Sequence, residues 1–499
     1  MFYKSTRGGQ SDLTFSEAVK KGIATDGGLF VPSEFPVYSA EDLGKMADYD
    51  YKALANEIFG FFANDFTADE VNNCVENAYL SGNFPMDDPA PTVKLTENVS
   101  VLELFHGPTC AFKDMALHIL PEFMKQSNKK LGDGKEIVIL TATSGDTGKA
   151  ALEGFKDVDG IKVVVFYPVS GVSEVQKYQM ITQEGKNVKV IAVEGNFDDA
   201  QSGVKKIFGD DEFNAKLNEE GFELSSANSI NWGRLLPQIV YYFHGYLAMA
   251  RQGDIKIGDK INVCVPTGNF GDILASYYAM KMGLPVNRII CASNDNNVLT
   301  DFFHTGTYNK NREFKTTISP AMDILISSNL ERLLYDVTGG DAEAVLGYMT
   351  SLNSTGLYTV DTKTIESIQN IFWAANATED ETRTTISKTY SDYTYLADPH
   401  TSVGLCVYDK YFEATGDKTK TLAVSTASPF KFNKSVAESI SQPEKIQNLS
   451  EFEVLDYLSN KTLLPVPNPL KGLDKREILH KDVCKPSEMK EETYKYIKS

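Results

Sequence analysis

The 499 residues, 42% of them hydrophobic, exceed what a single core usually supports, so two or three domains are expected. A formal charge of −19 excludes a nucleic-acid or anionic-membrane partner, because those surfaces demand a basic face, and it leaves any anionic ligand to local donors. Six cysteines, at 74, 110, 264, 291, 406 and 484, lie far apart without CxxC spacing, which fits neither a zinc site nor a disulfide scaffold and reads as reduced thiols in a cytoplasm.

In chain order, the opening MFYKSTRGGQSDL has no apolar h-region. Residues 1–92 read as a mainly helical N-terminal domain that ends at the prolines Pro85, Pro89 and Pro91. Next comes FHGPTCAFKD, in which Lys113 follows a Gly107-Pro108 turn. A lysine at a helix start is ordinarily a solvated charge, but Ala111, Phe112 and Leu117 around it predict a lysine turned into a pocket, where desolvation makes the amine a nucleophile and base. From Lys135 onward, β-branched runs alternate with glycine turns and amphipathic stretches: Glu136 to Leu140 before TATSGDTG, then IKVVVFYP, NVKVIAVEGN, INVCVPTGNFGD, RIICASN and KTLAVSTASP. That grammar predicts an α/β fold with doubly wound parallel sheets and ligands beyond the strands' carboxyl ends.

The loops at those ends are therefore the candidates for chemistry. TATSGDTG presents hydroxyls and amides to an anion, although a plain helix cap made by Asp146 or Thr147 explains it equally well. Its Gly-Lys pair is no P-loop, since GxxxxGK[ST] needs glycine at Thr143 and a hydroxyl at Ala150. NSINWGR brings Asn228, Ser229 and Arg234, the last suited to bidentate phosphate recognition if it is not a structural ion pair. The uncharged run Leu235 to Ala250 reads as a buried helix. PTGNFGD opens the helix DILASYYAMKM, so Gly268 to Asp272 can offer amides to a phosphate, an ordinary strand-helix turn being the alternative. Residues of about 295–400 read as a helical insertion, and STASPFKF offers Ser425 and Thr426 at a last strand end, where taken alone they read as turn formers. The catalytic region is placed at 93–440 and a C-terminal helical segment at 441–499, whose lysine-rich end reads as a surface helix.

Together and in this order, FHGPTCAFKD, TATSGDTG, NSINWGR, PTGNFGD and DPHTSVG closely resemble threonine synthases of the bacterial and fungal kind, fold-type II pyridoxal-phosphate enzymes of the tryptophan synthase β-like family. TDGGLFVP and SPAMDILISSN extend the likeness almost end to end. The resemblance implies that Lys113 holds pyridoxal 5'-phosphate as a Schiff base, that Gly268, Asn269, Phe270, Gly271 and Asp272 cradle its phosphate, that Thr426 meets the ring nitrogen, and that Asp146 lies near the 3'-oxygen. It further implies that Ser144 and Thr147 face substrate and that Asn228, Ser229 and Arg234 hold the phosphate of O-phosphohomoserine, which is converted to threonine. Relatives usually read T-A-H-P-A-K where this chain has Thr426-Ala427-Ser428-Pro429-Phe430-Lys431. No metal is expected, since no spacing pairs His106, His304 or His400 with other ligands, and His400 is assigned a structural or supporting role. A soluble cytoplasmic monomer or homodimer without nucleic-acid or membrane partners is expected. The alternatives are an amino-acid dehydratase, an O-acetylserine sulfhydrylase or a related phospho-lyase of the same fold, and, from another class, a non-catalytic module binding pyridoxal phosphate or a nucleotide.

Overall fold

The computed structural model describes residues 1–79, 82–84, 88–143 and 145–499; Pro85 of the expected boundary and Ser144 of the expected site lie outside them. The strands are β1 (Tyr3–Ser5), β2 (Phe30–Pro32), β3 (Thr92–Lys94), β4 (Val99–Glu103), β5 (Glu136–Ala142), β6 (Ile161–Pro168), β7 (Val188–Val193), β8 (Phe222–Ser225), β9 (Ile261–Pro266), β10 (Val286–Ser293), β11 (Thr307–Asn309), β12 (Leu357–Thr359), β13 (Phe372–Asn376), β14 (Thr421–Ser425) and β15 (Asp482–Cys484).

Two sheets carry the catalytic region. The larger runs β13-β10-β9-β14-β4-β3, parallel except where β3 meets β4; the smaller runs β15-β7-β6-β5-β8, parallel throughout. Their central strands are apolar on both faces because helices cover each side, so β5, β6, β9 and β14 read as near-continuous hydrophobic runs. In the larger sheet Glu103 is level with Ser425, and Ala423 with Cys264. The carboxyl ends of β4, β14 and β9 thus share one edge.

The helix Trp232–Arg251 passes behind that edge and is buried at every position from Trp232 to Met249. Pro237 costs a helix interior about 3 kcal/mol. Burial of even two large apolar side chains, at roughly 1.5–3 kcal/mol each, offsets it. The N-terminal helices Phe15–Lys21, Tyr51–Phe62 and Ala68–Tyr79 pack through aromatic contacts, including Phe62 on Trp232 at 5.6 Å and Phe15 on Phe123 at 5.2 Å.

Two expectations need correction. The region of 295–400 is not purely helical: β11 and β12 pair there, and β13 completes an edge of the larger sheet. FWAAN is short and only half-buried, so it lacks the hydrophobic run of a central strand. The C-terminal segment is likewise not helical throughout, since β15 pairs with β7 before the final helix Met489–Ile497. Among the described residues no helix is long and apolar enough to cross a membrane.

Candidate active site

Four loops meet at the shared edge. The loop after β4 is tied to the loop after β14 by Leu104 N–H donating to the Ser425 carbonyl (3.0 Å), by Phe112 N–H donating to the Thr426 carbonyl (2.8 Å), and by a bridge between Ala111 and Ala427. Lys113 then enters the one-turn helix Asp114–Leu117. That turn is pressed against the helix Asp146–Gly154, because a Cβ on Gly154 would stand 1.9 Å from the Leu117 carbonyl oxygen. Only glycine allows this approach, and it brings Lys113 and Asp146 together.

Lys113 is buried, with Nζ 3.4 Å from Asp146 Oδ2 and 4.9 Å from the centre of the Phe112 ring. Burial first, then the neighbouring Lys431 and Arg234 charges, lower its pKa from the ordinary lysine value against the pull of Asp146. Asp146 also receives the Lys431 ammonium at 2.8 Å and Gln176 Nε2 at 2.8 Å, both on Oδ1. Burial raises its pKa, but Lys431 and Lys113 more than compensate and hold the carboxyl well below the usual range. Asp146 does not cap its helix. Thr143 Oγ1 does so instead, accepting from Gly145 and Gly148 N–H at 2.9 Å each, which leaves the carboxylate for the two lysines. Thr147, beside it, is half-buried.

The loop after β9 has an unusual backbone. Phe270 precedes the helix Gly271–Lys281 with a φ of 64°, in the left-handed region. The N–H groups of Gly268, Asn269, Phe270, Gly271 and Asp272 donate to no acceptor among the described residues. The Asp272 carboxylate turns away: Tyr241 and Tyr242 hydroxyls donate to Oδ1 at 2.5 and 2.6 Å, while Oδ2 has no hydrogen-bond partner among the described residues. Burial pushes its pKa up to about 6. Only its amide therefore suits an anion.

Behind this loop lies the segment around Ala321. A Cβ on Gly268 would meet the Ala321 carbonyl oxygen at 2.7 Å, and Ser327 Oγ donates to the Gly268 carbonyl at 2.7 Å. His400 holds the segment, Nε2 accepting from Ala321 N–H (3.1 Å) and Nδ1 donating to Asp398 (2.7 Å). An accepting Nε2 requires the neutral Nδ1-protonated ring, a supporting role and not a metal-ligating one.

Arg234 is buried and gives Nη1 to the Ala227 carbonyl at 2.7 Å, with no ion pair to a carboxylate among the described residues. Burial pushes its pKa down to about 10, so it stays charged at neutral pH. Asn228 is exposed, and Ser229, half-buried, lies beside Gly271. Thr426 is buried at the end of β14. Ser428, in the usual histidine's place, caps the short helix Pro429–Phe432, and Phe430 joins an apolar cluster with Cys110 and Val175. Sequence reasoning left Lys431, Gln176, Tyr241 and Tyr242 without roles; the one available signal was a lysine inside the apolar run Pro-Phe-Lys-Phe.

A family model described as "Threonine synthase N terminus" matches residues 2–79, and one described as "Pyridoxal-phosphate dependent enzyme" matches residues 89–357. The chain is 39% identical to a threonine synthase of Schizosaccharomyces pombe, with 93% of this chain and 92% of that protein aligned. It is 41% identical to a human protein named threonine synthase-like 1, across 88% of this chain but 59% of that longer protein. A solved structure of pyridoxal-phosphate-bound threonine synthase from Brucella melitensis superposes over the whole of both chains with a TM-score of 0.88 at 36% identity.

Proposed function

The chain belongs to the threonine synthase family of pyridoxal-phosphate enzymes, and from that premise we propose that its substrate is O-phospho-L-homoserine and that the residues gathered at the β4-β14-β9 edge convert it to L-threonine and phosphate.

The residues present fit the cofactor. Five consecutive amides at a helix N-terminus, without acceptors among the described residues, suit a phosphate, and a buried amine with a lowered pKa suits covalent attachment. Lys113 would hold the cofactor, the amides of Gly268 to Asp272 its phosphate, Thr426 its ring nitrogen and Asp146 the side of its 3'-oxygen. Bound pyridoxal phosphate supplies an electron sink for the negative charge that proton removal leaves on substrate carbon.

The chain's own residues would do the rest. The Lys113 amine, once freed, takes the proton from Cα and then one from Cβ. Its depressed pKa keeps it unprotonated more of the time at neutral pH, as a base requires. Phosphate leaves from Cγ toward Arg234, Asn228 and Ser229. Protonation at Cγ, addition of water at Cβ and protonation at Cα complete the reaction, which consumes one water and releases one phosphate. Thr147 would face the amino-acid end. Thr426 would offer the ring nitrogen a neutral hydroxyl and not a carboxylate.

The observation that carries the substrate reading is Arg234, a buried guanidinium without a carboxylate, which a plain dehydratase has no need to maintain. Incubation with O-phosphohomoserine should release phosphate and threonine in equal amounts. Release of 2-oxobutyrate in threonine's place would identify a dehydratase-like lyase.

A further inference from the structure

Behind the phosphate-side loop, two buried residues without an assigned role form a directed chain of hydrogen bonds. Arg332, fully buried, donates Nε to the Phe30 carbonyl (3.0 Å), Nη2 to the Ile230 carbonyl (2.7 Å) and Nη1 to Oδ1 of Asn329 (2.5 Å). A guanidinium only donates, so the orientation of the Asn329 amide is forced. Its nitrogen faces the opposite way, donating to Ser229 Oγ at 3.2 Å and to the Asn269 carbonyl at 3.1 Å. The Asn329 backbone N–H reaches the same carbonyl at 3.0 Å.

Two consequences follow from valence. A hydroxyl has one hydrogen, and the Ser229 oxygen already accepts from Asn329, so its hydrogen is directed elsewhere; it donates to no described residue. Because a trans peptide points its C=O and N–H in opposite directions, capture of the Asn269 carbonyl turns the Phe270 N–H away from Asn329. The next residue, Phe270, holds a left-handed backbone, a conformation a phenylalanine adopts only when its surroundings impose it.

We propose that Asn329, oriented by Arg332, is a positioning residue that makes the Ser229 hydroxyl a hydrogen-bond donor to a phosphoryl oxygen. The inference rests on the reading of Ser229 as part of the substrate's phosphate site. Since Ser229 also lies beside Gly271, the oxygen belongs either to substrate or to cofactor, and the two sources are separable.

Asn329→Asp keeps the size and the acceptor for Arg332 but has no N–H to give, so Ser229 would turn and donate to the new carboxylate. The variants Asn329→Asp, Ser229→Ala, their double and Ser229→Thr are compared by KM and kcat, by competitive inhibition with inorganic phosphate, and by the cofactor dissociation constant from absorbance titration. For a substrate oxygen, Asn329→Asp and Ser229→Ala each raise KM and the phosphate inhibition constant about tenfold to a hundredfold, the range for one hydrogen bond to a charged group, with cofactor affinity nearly unchanged in Ser229→Ala, the variant that leaves the partners of the Asn269 carbonyl in place. For a cofactor oxygen, the dissociation constant rises instead. In both cases the double variant is no worse than the worse single one, and Ser229→Thr restores function. If Asn329→Asp does not fold, Asn329→Ala removes the same donor without adding charge and carries the same expectation. Losses that multiply in the double variant overturn the role of Asn329 and leave the reading of Ser229 intact. A Ser229→Ala protein with unchanged substrate, phosphate and cofactor binding overturns both.

Discussion

Lys431 and Asp146 form an ion pair with 2.8 Å between Nζ and Oδ1; the lysine side chain is fully buried and the carboxylate nearly so. The second oxygen of Asp146 faces Lys113 at 3.4 Å, so one carboxylate faces two lysines.

Asp146→Asn is therefore expected to destabilise the protein by about 3–5 kcal/mol at neutral pH, since it strands a buried ammonium. Because the folded pKa of Asp146 lies below the unfolded value, about 3.9, its contribution is present above that pH and is lost as pH falls through the folded value. Denaturant titrations from pH 7 down to pH 3 should show the difference between wild type and variant shrinking with acid. A pH-independent difference would mean that Asp146 is not ionised in the native state.

Lys113→Ala should abolish covalent cofactor attachment and lower turnover by at least about 10³-fold. Borohydride reduction of the wild-type holoenzyme followed by peptide mapping should find the label on Lys113. Among the described residues three other buried lysines are otherwise committed, Lys20 to Asp133 and Glu223, Lys431 to Asp146 and the Thr109 carbonyl, and Lys149 to Glu153. A label on any of them refutes the assignment.

Gly268→Val should weaken cofactor retention, and Gly268→Ala should already do so by about tenfold or more, because the added carbon meets the Ala321 backbone at 2.7 Å and not a side chain that can swing aside. Cofactor dissociation constants for the two variants that match wild type would exclude this loop as the phosphate cradle.

Arg234→Ala should reduce kcat/KM for O-phosphohomoserine by a factor on the order of 30 to several thousand, corresponding to about 2–5 kcal/mol for a desolvated charged contact, with cofactor affinity nearly intact. Lysine should rescue poorly, since it lacks the planar fork. Equal loss of cofactor and substrate affinity, or loss of neither, would move the substrate's phosphate elsewhere.

Asp272→Asn tests the opposite linkage. The folded pKa of about 6 lies above the unfolded value, so the carboxyl contributes stability that is complete below pH 4 and is lost as pH rises through 6. The amide keeps an acceptor for Tyr241 and Tyr242. At pH 8 the cofactor-free variant should match or exceed wild type by up to about 3 kcal/mol, and at pH 4 the gain should vanish. A variant less stable at pH 8 than at pH 4, relative to wild type, contradicts this.

The sequence revealed the parts of the fold whose signal is local. Strands such as IKVVVFYP and INVCVP are buried on both faces and show it residue by residue, whereas β13 and β15 lie at edges, where half-burial and a lysine-rich context dilute the pattern. The glycine loop and Lys113 lie in recognisable strand-loop-helix contexts. Arg332 and Lys431 were not legible: each is a cation whose burial depends on partners remote in sequence, Phe30 and Ile230 for one, Thr109 and Asp146 for the other. Until the topology is known, such a residue looks like solvated surface.

The pairing of β15 with β7 also sets an order on biosynthesis. Asp482 bonds alongside Ile191, so when the ribosome has made β5, β6, β7 and β8 the outer margin of β7 still presents unsatisfied backbone groups, and it does so until Asp482–Cys484 emerge almost three hundred residues later. A nascent chain stalled or truncated before Asp482 carries an open template for intermolecular strand addition. The closing strand thus acts as a late-arriving seal, and truncation before Asp482 should appear first as insoluble product during expression and only afterwards as reduced activity in whatever remains soluble.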